Sequence, residues 1–302
     1  MNLELLKTFI AVVKHNSFSK ASEEVFLTQP AVTKQIKILE KEYKTKLFER
    51  EKNKLFLTDD GKVFLNYAHR ILGLYNESHI VINEQKGQVK GTLIMGTNLT
   101  LGIYVLPRLV KLFGDMHPDI KFEMYLDNTD HVIKAIQKRD VSFGFIGKIS
   151  DDATIVNHLF YKDRLKVVIS PKYGLKKRVV SWKELEKIPF ISREKGSDIR
   201  GTYEDWFKDR PVELTLIMEL NNTEAIKFSV QCRLGFSILP WCTIEQEVRW
   251  GLLQTLSVPH FDPIQQFYIS YYKGRKFSRH EQKFLEYLFN LVEKGELSIP
   301  SF

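Results

Sequence analysis

The chain has 302 residues, more than one ordinary domain holds, so two or three domains are expected. Its 43% apolar, 12% aromatic and 27% charged residues exclude a disordered or collagen-like chain and leave ample material for a core. A formal charge of +8 favours polyanionic partners, while a cysteine count of two, Cys232 and Cys242, excludes a disulfide-stapled secreted scaffold and fits a reducing cytoplasm.

The chain opens with an amphipathic helix pattern, not a secretion signal. The longest apolar runs, around Phe143 to Ile149 and Leu234 to Trp241, fall well short of the ~20 residues a membrane helix needs, so a soluble cytoplasmic protein with no membrane partner is expected. From Leu3 to Val13 the residues Leu3, Leu6, Phe9, Ile10 and Val13 recur at helical spacing, and Asn16-Ser17 ends the run. Ser19 is placed to cap a second short helix through Phe26. Thr28 caps a third, which starts Gln29-Pro30, where proline's missing N–H has no helical partner in any case.

Between Leu47 and Thr58, LFEREKNKLFLT reads as two short strands with the turn at Glu51 to Lys54, a wing. Thr58 then caps a run of helix-compatible residues up to Gly87, with Asp59 and Asp60 in its first turn. At ~1.5 Å per residue that helix is roughly 45 Å long. Its apolar positions, among them Val63, Phe64, Tyr67, Ile71, Leu74, Tyr75, Val81 and Ile82, call for a second chain, so a homodimer or homotetramer is expected.

A glycine-flanked linker, Gly87-Gln88-Val89-Lys90-Gly91, leads into the strand Thr92 to Thr97, a helix about Leu106 to Met116, Lys121 to Tyr125, a helix about Thr129 to Lys138, and Phe143 to Ile146. The alternation predicts right-handed crossovers and a mostly parallel sheet. A second series runs from about Leu165 to Leu256, and Phe267 to Tyr272 with a helix Ser278 to Glu293 closes the chain, as in a two-lobed domain crossed near Phe160 and again near Phe261. The expected division is a winged helix-turn-helix head at 1–58, a linker and dimerisation helix with its hinge at 59–90, and a two-lobed α/β effector domain at 91–302, lobe I being 91–160 with 266–302 and lobe II 161–265.

A helix-turn-helix sets the start of its second helix against base edges in the major groove. In QPAVTKQIKILEKEY, Val32, Ile36 and Leu39 share the packing face, leaving Gln29, Thr33, Lys34 and Lys37 for solvent or DNA. From Thr28 to Thr58 eight basic residues (Lys34, Lys37, Lys41, Lys44, Lys46, Arg50, Lys52, Lys54) outnumber four acidic ones (Glu40, Glu42, Glu49, Glu51), an excess where phosphate would run. Lys37, Lys41 and Lys44 read as a solvated helix face before they read as specific contacts, whereas Gln29, Pro30, Thr33 and Lys34 sit at the helix start where reading happens.

The combination FxxVxxxxSFSKASExxxLTQPAVTKQIKxLEKExxxxLFER, from Phe9 to Arg50, resembles the N-terminal signature of the LysR-type transcriptional regulators. That resemblance implies helix packing at Ser19, Ala21 and Ala31, major-groove contacts at Thr28 to Pro30 and Thr33 to Gln35, and a minor-groove contact from Arg50 in the wing. It also implies a sequence-specific regulator that binds double-stranded DNA at two-fold related half-sites. Lys34 stands where the family often has arginine, which weakens bidentate guanine reading.

A pocket between lobes needs polar groups at strand ends and helix starts. MGTNLTLGIYVLP supplies Asn98, Leu99 and Thr100, and PFISREKGSDIRGTYEDWF supplies Arg193, Ser197 and Arg200, of which Ser197 and Arg200 are expected to meet an anion across the cleft. Both segments, with ELNNTEAIKFSVQCRLGFSILP as a third, resemble the effector-binding elements of the LysR-type branch that contains Calvin-cycle and sulfur-metabolism regulators, which implies a small, anionic effector held between periplasmic-binding-protein-like lobes. Asn98 stands where that branch has serine, Asp198-Ile199 replace Gly-Thr, and Ser142 replaces an aspartate. An acidic Asp198 beside the pocket disfavours a dianion unless Arg193 or Arg200 offsets it. Thr223 and Glu224 open the third element, either as caps of its helix or as ligand contacts.

No nucleotide-cradling, HExxH or GxSxG motif occurs, and His69 and His79 share a helix face only loosely, so no enzyme, metal or cofactor is expected. The cysteines read as core rather than as redox sensors, Cys232 lying in an amphipathic helix.

Overall fold

The computed structural model describes residues 2–51, 54–83, 90–175 and 177–295. Lys52, Gly87, Gln88, Val89 and the side chains of His79, Val81 and Ile82 lie outside the described residues. Two compact units emerge, residues 1–88 and, but for 137–140, residues 89–302.

In the first unit, α1 (Leu3–His15) ends at Asn16, whose left-handed φ of 47° asparagine tolerates better than most residues. The second helix, α2 (Phe18–Glu24), is capped by Ser17, whose hydroxyl accepts from the Lys20 N–H at 3.3 Å, not by the expected Ser19. Ser19 falls one turn position too late and is exposed, so it is not a packing residue either. That helix stops short of the expected Phe26, which adopts a left-handed φ of 54° and turns the chain into α3 (Gln29–Tyr43). Thr28 caps α3 as expected, its hydroxyl accepting from the Ala31 N–H at 3.4 Å. The wing pairs β1 (Phe48–Glu51) antiparallel with β2 (Lys54–Leu57), and Glu51 and Lys54 belong to the ladder instead of the turn.

The Thr58 hydroxyl then accepts from the Gly61 N–H at 2.9 Å and opens α4 (Asp59–Asn83). Its apolar residues divide between two faces. Phe64 and Ala68 join Leu6, Phe9, Val12, Val32, Ile36 and Leu39 in the core of the unit, with the Phe9 ring 4.8 Å from Phe64 and 5.2 Å from Phe48. Val63, Tyr67 and Leu74 remain 57%, 55% and 51% exposed.

Among the described residues the second unit carries four buried apolar clusters, the two largest lying one in each lobe. In the first part of the chain β3 (Gly91–Thr97) leads through α5 (Leu99–Tyr104) and α6 (Leu106–Met116) to β4 (Ile120–Leu126), and α7 (Thr129–Lys138) leads to β5 (Phe143–Ile146). Strand β3 pairs in parallel with both β4 and β5, as crossover helices require. The 15-residue β6 (Ile155–Ile169) then runs out of this lobe into the next. There α8 (Trp182–Leu185), β7 (Phe190–Arg193), α9 (Asp198–Phe207), β8 (Leu216–Leu220), α10 (Thr223–Gln231), β9 (Ser237–Pro240), α11 (Trp241–Arg249) and β10 (Gln254–Leu256) follow. Return is by β11 (Ile264–Tyr272), and α12 (Arg279–Glu293) closes the first lobe's core through Phe284, Leu285 and Leu288.

The mostly parallel expectation holds for β3 with β4 and β5 and for β7 with β8, but not for the rest of the sheet. Strand β6 is antiparallel to β9, β10 and β11, and β11 to β5; for β6 and β11 this follows because the outgoing and returning strands of a crossing run in opposite senses. Register Ile155↔Tyr272 to Arg164↔Ile264 makes this pair the hinge between lobes.

Cys232, the residue that caps the end of α10, is exposed instead of lying in the core. Cys242, in the first turn of α11, donates its backbone N–H to Asp163 at 2.8 Å, and burial pushes its thiol up, away from the thiolate that redox sensing uses.

Candidate DNA-reading surface and effector cleft

Thr28, Gln29, Pro30, Lys34, Lys37 and Arg50 are all exposed, and Thr33 is half-buried, its hydroxyl donating to the Gln29 carbonyl at 3.0 Å. The first turn of α3 is thus presented outward while Val32, Ile36 and Leu39 hold its other face in the core. Arg50 lies where two shallow surface grooves meet. Gln29, Phe18 and Lys54 share one with it, and Thr33, Lys37 and Lys46 the other. Tertiary packing therefore gathers α3 and the wing around one arginine. Sequence reasoning missed Phe26, which is 94% exposed at the turn into α3, because an aromatic in a helix pattern reads as core.

In the second unit a cavity of about 60 Å³ opens between the lobes. Asn98, Leu99 and Thr100 line it from the start of α5, Asp127 to Thr129 from the start of α7, and Arg193 to Ile199, Lys195 excepted, from the loop into α9. The expected Asn98, Leu99, Thr100, Arg193 and Ser197 are brought together; Asn128 and Thr129 were missed, although a threonine opening a helix after a strand end was a legible signal. Asn98 caps α5, its Oδ1 accepting from the Leu101 N–H at 2.9 Å. Ser197 sits at the cap of α9 without using its side chain there, which leaves the hydroxyl for a ligand.

Arg200 and Thr223 do not line the cavity. The Arg200 guanidinium donates to Glu204 and Glu219, each at 2.6 Å, and to the Arg193 carbonyl at 3.0 Å, so neighbouring carboxylates draw it away from the cleft. Thr223 accepts from Arg193 Nη1 at 3.1 Å, and the cap of α10 is Asn222, not Thr223 or Glu224. Arg193 itself is held in a two-point pair with Glu194, at 2.8 and 3.0 Å. Away from the cavity lining, Tyr104 of α5 donates to Glu224, and the buried Lys227 pairs with Glu224 at 2.9 Å and Glu247 at 2.6 Å.

A head that presents a helix start beside a wing, joined to a two-lobed domain with a polar cleft, defines a ligand-responsive DNA-binding regulator. Residues 3–62 match the bacterial regulatory helix-turn-helix protein, lysR family, and residues 86–292 match the LysR substrate binding domain; the chain belongs to the LysR family of transcriptional regulators. It is 33% identical over 288 residues to the HTH-type transcriptional activator CmpR of Synechocystis sp., covering 95% of this chain and 94% of that protein. Over 289 residues it is 30% identical to the RuBisCO operon transcriptional regulator of Allochromatium vinosum, covering 95% of each. Its fold is that of full-length CbnR, solved with its target DNA, at TM-score 0.70 and 20% identity, covering 96% of this chain and 99% of CbnR. The regulatory domain of Synechocystis PCC6803 CcmR, solved with 2-PG, matches at TM-score 0.62 and 24% identity, covering 70% of this chain and all (100%) of that one. No helix among the described residues is long and apolar enough to cross a membrane.

Proposed function

We propose that this regulator reads double-stranded DNA in the cytoplasm with the first turn of α3, as a homodimer or homotetramer on two-fold related half-sites. The observation that carries the reading is the outward-facing run Thr28, Gln29, Pro30, Thr33 and Lys34 with Lys37 and Arg50 beside it. CbnR, solved on its target DNA, supports it, and so does the exposed apolar face of α4, which asks for a second copy. The working boundaries are the head at 1–58, the linker helix and hinge at 59–90, and the effector domain at 91–302, with lobe II at 161–265. Regulation, not catalysis, is its activity, in keeping with relatives named as transcriptional regulators.

Footprinting and binding isotherms test this. Half-sites about one helical turn apart are expected, with log affinity falling steeply with log salt. Gln29→Ala is expected to cost about 1–3 kcal/mol and to relax preference at one base pair. Lys37→Ala is expected to weaken all sequences alike and to reduce the salt slope by about one. Affinity flat in salt, or footprints without paired half-sites, would remove the assignment.

A small metabolite with an anionic group, seated between the lobes at Asn98, Leu99, Thr100, Arg193 and Ser197, biases the arrangement of the heads. It can act only through different affinities for the two arrangements. Thr223 and Arg200 serve as positioning residues through Arg193. The CcmR regulatory domain, solved with 2-PG, supports a small ligand for a domain of this fold. A metabolite screen by thermal shift on the full chain should find a stabilising ligand, whose shift is lost in Ser197→Ala. A hit indifferent to that change would place the site elsewhere.

A further inference from the structure

Asp198 is the first residue of α9, and its side chain leaves its own lobe. Its Oδ2 accepts from the Thr129 hydroxyl of the opposite lobe at 2.5 Å. The same corner holds the backbone N–H of Gly147, which reaches Thr129 Oγ1 at 3.3 Å. A Cβ built on Gly147 would stand 2.4 Å from Asp198 Oδ2, so only glycine lets the carboxylate come this close to the backbone. A hydroxyl, a backbone N–H and the start of α7 form a donor set suited to an anion. In this chain that set already holds one, supplied from within.

No cation among the described residues pairs with Asp198. Arg193 is bound to Glu194, Arg200 to Glu204 and Glu219, and Lys148 to Asp130 at 3.1 Å. The charged residues lining the cavity are therefore Arg193 alone against Asp127, Glu194 and Asp198. Burial, opposed by the Thr129 hydrogen bond, the charge of Lys148 and the Gly147 backbone, raises the Asp198 carboxyl above its ordinary range. Thr100 and Ser197 line the same cavity, and the Ser197 hydroxyl makes no cap bond at the start of α9.

We infer that Asp198 is the specificity determinant of the cleft: it takes the place of a ligand's second anionic group, so the effector is a short carboxylate with one anionic end that turns an ammonium or hydroxyl toward Asp198. The inference rests on the cleft being the effector site. A dianion would set like charges together in a cavity of about 60 Å³, whereas a donor group would complete the acceptor capacity of Asp198.

Malonate and β-alanine test this, since they share a three-carbon frame and differ by a carboxylate against an ammonium. Calorimetry on the full chain is expected to show wild type preferring β-alanine. Asp198→Asn, which keeps the side-chain shape, should shift the ratio of the two dissociation constants by at least about tenfold toward malonate. Asp198→Gly should do the same, and if it fails to fold the asparagine variant carries the measurement. An unmoved ratio, or no malonate binding by either variant, overturns the assignment. Binding of both probes should weaken in Ser197→Ala and Thr100→Val. If the ratio stays fixed while those hydroxyls still matter, Asp198 alone is wrongly assigned; if binding ignores the hydroxyls, the cleft reading fails and takes Asp198 with it.

Discussion

Phe9→Ala is expected to destabilise the first unit by about 3–5 kcal/mol, the range for truncating a fully buried phenylalanine. The Phe9 ring joins three elements at once, lying against Phe48 of the wing and Phe64 of α4 while α1 supports α3. Removing it leaves a cavity at the point where the recognition helix and wing are held in one frame, so DNA affinity should fall with stability. Thermal unfolding followed with and without operator DNA checks this. Stabilisation by a cleft ligand should persist, because the core of the second unit shares none of these residues. A variant with unchanged unfolding would show that the packing of Phe9 contributes little to the head.

Glu281→Ala should cost the second unit a similar amount, about 3–5 kcal/mol, because it strands a buried arginine. Glu281 Oε1 accepts from Arg275 Nη2 at 3.0 Å and from Ser142 Oγ, and Oε2 accepts from the Ser278 N–H at 2.8 Å in a capping box that starts α12. An aspartate at 142 would face this carboxylate directly, which is a physical reason for the serine that departs from the pattern of the resembling branch. Burial raises the Glu281 carboxyl, but Arg275 with the Ser142 and Ser278 hydrogen bonds outweighs it and holds the group below its ordinary value of 4.5. A depressed carboxylate stabilises fully above the unfolded value and loses that contribution as pH falls through the folded one. The stability gap between wild type and Glu281→Ala should therefore be constant near neutral pH and narrow below about pH 4.5. Denaturant unfolding at pH 7 and pH 3 measures it, and a gap that does not narrow on acidification would rule out the linkage.

The helices at Leu106–Met116 and Thr129–Lys138, the strand Phe143–Ile146 and the cap at Thr28 were legible residue by residue. Each depends on neighbours within about one turn: an apolar period, a hydroxyl before a helix, a proline tolerated at its start. The exposed first turn of α3 followed from the same rules, since Val32, Ile36 and Leu39 consume the opposite face. Where local signals competed, they failed. Ser17 and Ser19 are equally good caps on paper, and the extended backbone at Ser17, with its hydroxyl on the Lys20 N–H, decided for Ser17.

Charge partners were beyond local reasoning. Arg200 looked like an anion ligand until β8 brought Glu219 against it, 19 positions away, and Asp198 read as an acid beside the pocket to be offset by Arg193 or Arg200 until the lobes set it on Thr129, 69 positions away. Helices and strands are chosen by backbone preferences that a short window contains. A side chain's charge environment is set by whichever distant element the fold lays beside it, and in this cleft that difference separates a site for dianions from one already holding a carboxylate of its own.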